Sequence, residues 1–445
     1  MPDPSRREIL PRKHGKPHAA EEAGDIAAGG AAFQSRDFRR YQMARLLVIL
    51  GAEAQSIAVA WQVYQTTHSA LALGYTGLAL FLPGLLFMLP AGHVADRYDR
   101  RHVVLVCYTL QVVCTSTLLW IAMHKPGSIF PIYIVLFVIG LGRAFSSPAS
   151  SALLPHLVPE KSFVNAVTWG ATIFQLANVV GPALGGILFT LPLAGWAGPF
   201  AGAPVVYLAT LATLVAFLVL VGSLSVRPGR MEKRGFSTQT LLAGLRYVVR
   251  NKILLGSISV DLFAVLLGGA VALMPIFAVD VLHAGARGLG LLRATPAIGA
   301  LTISVTLAWR PVRRHAGSLM LACVGFFGLA TVGFGLSKSL PLSLLALYFI
   351  GASDMVSVVI RASLLQIATP PEMRGRVSAV NSVFLGASNE FGEFESGVTA
   401  HWWGAVRAVV IGGIGSMVVT GLAGVLFPDL RRADELNVKS LAMPE

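Results

Sequence analysis

Twelve stretches of this chain are predominantly apolar and more than 20 residues long, and only short polar connections separate most of them. They cover about 39–64, 69–94, 101–123, 130–155, 162–190, 199–224, 253–281, 287–309, 316–337, 340–366, 375–398 and 403–427. A bilayer core needs about 20 apolar residues per helical crossing. Backbone in hydrocarbon must satisfy its own hydrogen bonds, and runs this long and continuous do so as helices. The expected fold is an all-α membrane protein with twelve transmembrane helices in two six-helix halves.

The bulk numbers agree with that reading. With 55% hydrophobic and 13% charged residues, a chain of 445 residues is too apolar for an ordinary soluble domain. Its net charge of +13 would suit nucleic acid, but the basic residues lie between apolar runs and in the tails, not along one soluble face. They follow the positive-inside rule instead. Arg36, Arg39 and Arg40 precede the first run, Arg227, Arg230, Lys233 and Arg234 separate the sixth and seventh, and Arg310, Arg374 and Arg431 follow the eighth, tenth and last. The opposite side carries little beyond Lys125, Arg287, Lys338 and Arg407. Both termini are therefore expected in the cytoplasm, in the plasma (inner) membrane. Cys107, Cys114 and Cys323 all fall inside apolar runs without metal-type spacing and read as small buried hydrophobes.

The chain divides into five parts. Residues 1–37 read as a flexible cytoplasmic tail, 38–224 as a first six-helix bundle, 225–252 as a cytoplasmic linker, 253–430 as a second six-helix bundle and 431–445 as a tail. In the linker, Leu241, Leu242, Leu245, Val248 and Val249 fall opposite Gln239, Arg246 and Arg250 at helical spacing, which predicts an amphipathic helix on the inner membrane face. The halves resemble repeats: Ile139-Gly140 and Leu153-Leu154 in the fourth run match Ile350-Gly351 and Leu364-Leu365 in the tenth. Parallel repeats with the substrate site between them are a transporter arrangement.

Ionisable side chains at membrane depth cost at least about 2.5 kcal/mol each on insertion scales, so they mark functional candidates. Glu53, Arg143, Asp261, Arg293, Asp354, Arg361, Glu390 and Glu393 all lie inside apolar runs. Glu390 and Glu393 are one turn apart, and two close carboxylates in a low dielectric disfavour double ionisation. Glu390, Glu393, Asp354 and Glu53 are the proton-coupling candidates. Arg143, Arg361, Arg293 and Asp261, with Gln55 and Gln175, are the substrate-cavity candidates. Asp354 and Arg143 hold equivalent places in the two repeats, which suggests a pair across the halves, with local neutralisation as the alternative. Glu395 falls nearer the outer end and reads as hydrated. No metal-ligand spacing and no phosphate-binding loop occur, so transport would be secondary, without cofactor or metal.

Gly92-His93-Val94-Ala95-Asp96-Arg97-Tyr98-Asp99-Arg100-Arg101 lies between the second and third runs. It resembles the signature loop of the major facilitator superfamily, with Gly92, Ala95, Asp96, Arg97, Arg100 and Arg101 matching and Val94 and Asp99 replacing a Leu and a Gly. That resemblance implies a cytoplasmic gate formed by Gly92, Asp96, Arg97, Arg100 and Arg101 that clamps the two halves. Gly181-Pro182-Ala183-Leu184-Gly185-Gly186 in the fifth run resembles part of the motif associated with exporting antiporters of the same superfamily. Leu82–Gly92, Leu154–Pro159 and Arg374–Val377 resemble the branch that contains siderophore and macrolide exporters. The resemblance implies a secondary transporter of a siderophore-like or drug-like small molecule, most plainly an exporter exchanging it for protons, working as a monomer among membrane lipids. The alternatives are an importer or lysophospholipid translocator of the same fold, or a transport-inactive receptor or scaffold; no recognisable catalytic constellation points to an enzyme.

Overall fold

The structure, a computed structural model, describes residues 31–124, 128–191, 202–225, 238–310, 312 and 315–431, and these residues are helical with short connections. The tails 1–30 and 432–445 and most of the linker lie outside the described residues. The helices are α1 (Arg36–Thr67), α2 (Ala70–Leu86), α3 (Met88–Arg97), α4 (Arg100–His124), α5 (Phe130–Leu153), α6 (Phe163–Phe189), α7 (Ala203–Gly222), α8 (Thr238–Arg250), α9 (Lys252–Leu267), α10 (Gly285–Trp309), α11 (Ala316–Leu336), α12 (Leu340–Ile367), α13 (Pro371–Trp403) and α14 (Ala405–Leu426).

Ten of the described helical segments are long and apolar enough to cross a membrane. Two more complete a set consistent with twelve: α2, apolar but short, and α13, long but carrying Glu390, Glu393 and Glu395. Polar caps start many of them. Ser35 accepts a hydrogen bond from the Phe38 amide, Ser69 from Ala72, Ser339 from Leu342, and Asn251 from both Ile253 and Leu254. Each satisfies a donor that the helix itself leaves unpaired.

Three local departures from the sequence expectation have physical causes. The run 69–94 is broken at Phe87, so α2 and α3 are separate helices; Pro90 follows closely and has no N–H to offer the Leu86 carbonyl four residues before it. The run 253–281 is continuous helix only to Leu267. After Gly268 and Gly269 it continues as a 3₁₀ turn (Ala270–Leu273), a short α turn and a π-helical turn (Phe277–Val281). A side chain at Gly269 would stand 2.7 Å from the Gly392 carbonyl oxygen, so the close approach of α13 selects glycine there. Residues 31–37, expected as the end of a tail, are folded. Ala32 is fully buried with its amide bonded to Asn165, the Ser35 hydroxyl donates to the Leu157 carbonyl, and Phe33 packs edge-on against Trp169.

Packing follows the apolar faces. α1 lies between α6 and α7, α4 joins α5 and α7, and α2 packs on α5. Among the last six spans, α11 packs on α12 and α14, α10 on α12, and α9 on α13 and α14. Contacts between the two groups of six are made chiefly by α6 with α10 and α2 with α13. The amphipathic helix α8 has the bounds expected for it. It docks on α13 through Gly244, buries Val248 with Leu254 and Ile258, and leaves Leu242, Leu245 and Val249 exposed. The Tyr247 hydroxyl donates to the Ala368 carbonyl at 2.8 Å, and burial raises this phenol above its ordinary pKa, which keeps it a donor.

A close backbone contact within the first group lies between α6 and α1, where a Cβ at Gly185 would stand 2.7 Å from the Ala54 Cα. Gly185→Val is therefore expected to lower stability by about 1–3 kcal/mol, read as the thermal midpoint of tryptophan fluorescence in detergent. Gly84→Val, at a position with nothing within 4 Å, is expected to leave the midpoint unchanged.

Candidate functional site

The seam between the two groups of six is closed at the end farthest from the Gly92–Arg101 loop. A Cβ at Gly186 of α6 would stand 2.8 Å from the Ala286 carbonyl and 2.9 Å from the Gly290 Cα of α10. A Cβ at Gly397 of α13 would stand 2.8 Å from the Gly74 Cα of α2. Such close backbone approach is how membrane helices gain contact when no hydrophobic force separates helix from lipid. Two polar links cross the same end: the Tyr64 hydroxyl donates to the Asp280 carboxylate, and Arg287 Nε donates to Thr190 Oγ1 at 3.2 Å. Tyr64 and Asp280 were not singled out from the sequence. The available signal was the acid at the end of the seventh run, which the structure places on the π-helical turn.

One step inward from this seam, α1, α10 and α13 bring Glu53, Arg293 and Glu393 together. Glu393 lies within Coulombic reach of both Arg293 and Glu53, so the group spans the two halves of the chain. Arg293 Nε is buried with no hydrogen-bond partner among the described residues. The antiporter-like motif supports the group directly, because a Cβ at Gly181 would stand 2.5 Å from the Glu53 Cβ. Deeper along the same seam the Gln175 amide donates to the Ala297 carbonyl across α6 and α10 at 3.2 Å. The side chain of Glu390, one turn from Glu393, lies outside the described residues.

A second charged group forms inside the last six spans. Arg361 Nη1 of α12 donates to Asp261 Oδ2 of α9 at 2.5 Å, both side chains being about 4% exposed. Asp354 lies within Coulombic reach of both, and with Asp261 and Ser357 it lines a small cavity. The expected pairing of Asp354 with Arg143 is not formed. Arg143 stands exposed on α5, within reach of Tyr108, while the second repeat's own arginine, Arg361, is taken by Asp261. Asp261 and Arg361 thus form a buried pair inside the second bundle, with Asp261 also lining the small cavity beside Asp354. Gln55 is buried in the first bundle, where its Oε1 accepts from the Thr115 hydroxyl at 2.9 Å.

Two of the loop arginines bind groups of the first half. Arg100 donates to the Ala152 carbonyl at 3.1 Å and lies 2.9 Å from His156 Nε2. Arg101 donates to the Leu224 carbonyl at 2.9 Å and to the Gly222 carbonyl, tying the loop to the ends of α5 and α7. Arg97 is exposed, and the side chain of Asp96 lies outside the described residues. With the far ends of the halves in contact, the loop packs on α4 and α5 of its own bundle.

A family model described as transmembrane secretion effector matches residues 27–445. The chain belongs to this family of major facilitators. It is 27% identical over 400 residues to the enterobactin exporter of Citrobacter koseri, covering 89% of this chain and 92% of that protein. The enterobactin exporter of Shigella boydii is also 27% identical, over 386 residues, with 86% of each chain covered. Among solved structures, the inward-open xylose transporter of E. coli superposes with a TM-score of 0.66 at 12% identity, covering 90% of this chain and 98% of that one. A bacterial homologue of the iron transporter ferroportin, in an inward-facing state, gives 0.66 at 18% identity over 89% and 98%. The chain is thus a multi-pass membrane transporter with the major facilitator fold, not an enzyme.

Removing one partner of a buried ion pair strands the other, at a cost of about 3–5 kcal/mol. Arg361→Met is therefore expected to destabilise the transporter by that amount in thermal or denaturant unfolding. Adding Asp261→Asn to it is expected to recover a measurable part of the loss.

Proposed function

We propose that the transporter exports a siderophore-like or drug-like small molecule from the cytoplasm in exchange for protons, by rocking of residues 38–224 against residues 253–430. The observation that carries this reading is the Glu53–Arg293–Glu393 group, where charges from both bodies meet just inside the closed seam. In this reading the basic side faces the cytoplasm of the inner membrane, as do both termini. The closed seam then faces outward, and the chain acts as a monomer among lipids. The nature of the cargo is taken from the relatives, which are named as enterobactin exporters.

The coupling follows from charge counting. Two carboxylates and one guanidinium leave one negative charge in excess, which one proton neutralises. With that proton on Glu393, the remaining Glu53–Arg293 attraction bridges the bodies and holds the outer seam shut. Loss of the proton to the cytoplasm leaves Glu53 and Glu393 repelling each other across the seam, and opposite and like charges in a low dielectric act over several ångströms. Anionic groups on the cargo would engage Arg293 and Arg143 from the cytoplasmic side. Deprotonation and cargo loading together then favour outward opening, and protonation from outside resets the protein. Glu390 and Asp354 are further proton-carrying candidates, and Asp96, Arg97, Arg100 and Arg101 form the loop that would close the cytoplasmic side in the outward-open state.

In sealed vesicles containing the purified protein, with a pH gradient imposed, a cargo from a panel of siderophores and macrolides is expected to release protons with its own movement. Glu393→Gln, a fixed mimic of the protonated group, is expected to abolish cargo-linked proton movement, and unchanged coupling in that variant rejects this carrier. Asp96→Asn is expected to slow turnover at least tenfold while leaving cargo affinity within about twofold. Wild-type turnover in Asp96→Asn rejects the gate role of the loop.

A further inference from the structure

Glu395 follows Glu393 by two residues on α13, which turns it about 200° around the helix. Glu393 faces the central group, so Glu395 faces the opposite way, into a groove between α9 and α13 on the membrane-facing surface. The groove has a volume of about 540 Å³ and is walled by Leu262, Leu266, Phe391, Val398 and Trp402. Phe391 and Trp402 are 41% and 67% exposed, as expected of side chains facing lipid. The sequence reading placed Glu395 in water near the outer end; the structure places it instead among apolar and aromatic walls.

A carboxylate at such a surface is costly unless something answers its charge. Among the described residues Glu395 has no ion pair, and its polar neighbour is Ser396 on the same turn. The Thr399 hydroxyl is spent on the Glu395 and Ser396 carbonyls, at 3.0 and 3.2 Å. The groove is of the size that holds drug-like molecules. It therefore combines an apolar volume, aromatic faces that attract cations and one carboxyl group with no cation beside it among the described residues.

Depth narrows the ligand. Glu395 precedes the end of α13 at Trp403 by eight residues, about 12 Å along the axis. Trp402 and Trp403 have the composition of the interfacial belt. The amine of a lipid headgroup rides at that belt and falls short of Glu395, whereas a cation whose charge is embedded in an apolar body can sit at this depth.

We propose that the α9–α13 groove is a binding site for lipophilic monocations dissolved in the membrane leaflet on the Trp402 side, with Glu395 as their counter-charge. This site lies on the opposite face of α13 from the Glu53–Arg293–Glu393 group, and the inference stands independently of the export reading. It makes lipophilic cations ligands of a transporter whose central group is built around an arginine.

The test is equilibrium binding of radiolabelled tetraphenylphosphonium to the full chain in phosphatidylcholine nanodiscs. The expected result is saturable binding at one site per chain, weakened at least tenfold in Glu395→Gln and at least tenfold in Val398→Trp, which fills the groove and leaves the charge in place. Absence of saturable binding to the wild-type protein overturns the proposal, as does undiminished binding to Glu395→Gln. A measurement on the wild-type chain covers the case in which a variant does not fold: an aryl-azide phosphonium is expected to label the segment from Phe391 to Trp402, and labelling confined to other segments overturns the proposal.

Discussion

Unscreened charge inside a low-dielectric slab is the constraint on which the rest of this molecule depends. Each buried ion must be answered locally or be used. The second bundle answers two of its charges outright, with Asp261 and Arg361 in direct contact. The pair costs desolvation and returns a fixed register between α9 and α12, the best-attested use of such pairs. Around Glu53, Arg293 and Glu393 the charges do not cancel, and there the excess falls between the two bodies, where motion can respond to it.

The seam beside that group joins the two bundles by close contact. Its contacts include glycine against backbone, Gly186 with Gly290 and Gly74 with Gly397, and the aromatic pairs Tyr75–Phe394 and Phe81–Phe391 between α2 and α13. Dispersion forces between such surfaces are strong in contact and lose about a quarter to a half of their strength across a gap of about 0.5–1 Å. The interface is therefore close to two-state, shut or open. Tyr64 and Asp280 add a polar link at the rim, on a turn already distorted to π-helical geometry, a distortion found frequently at functional sites. The basic loop at the other end is meanwhile satisfied by carbonyls of its own bundle, Ala152, Gly222 and Leu224, so the two ends of the molecule are in complementary states.

Much of this was legible in the sequence because it rests on one-dimensional signals. Run length sets the spans, basic residues mark one side, and the spacing in Thr238–Arg250 sets the amphipathic helix with the bounds observed. The breaks at Phe87 and after Gly268 escape a reading by run length because both runs stay apolar throughout, although Pro83, Pro90 and the Gly268-Gly269 pair mark them. Partner choice was also hidden. Repeat symmetry suggested Arg143 for Asp354, yet Asp261, on a helix 100 residues from Arg361, takes the arginine. Gln55 read as a cavity liner because polarity alone does not say which face of α1 turns inward, and Thr115 decides it. Glu395 differs from Glu393 by two residues in sequence and by the whole width of a helix in space.

The central claim is that the outer seam opens when the Glu53–Arg293–Glu393 group loses its proton. The most direct measurement is the spin-label distance between Thr66→Cys and His283→Cys, on either side of the seam, in nanodiscs at pH 6 and pH 8, in a chain whose Cys107, Cys114 and Cys323 are replaced. The account predicts a short distance at pH 6, a growing long-distance population at pH 8, and no such growth in Glu393→Gln. A distance distribution that does not change with pH in the wild-type protein, or one that changes equally in Glu393→Gln, contradicts it.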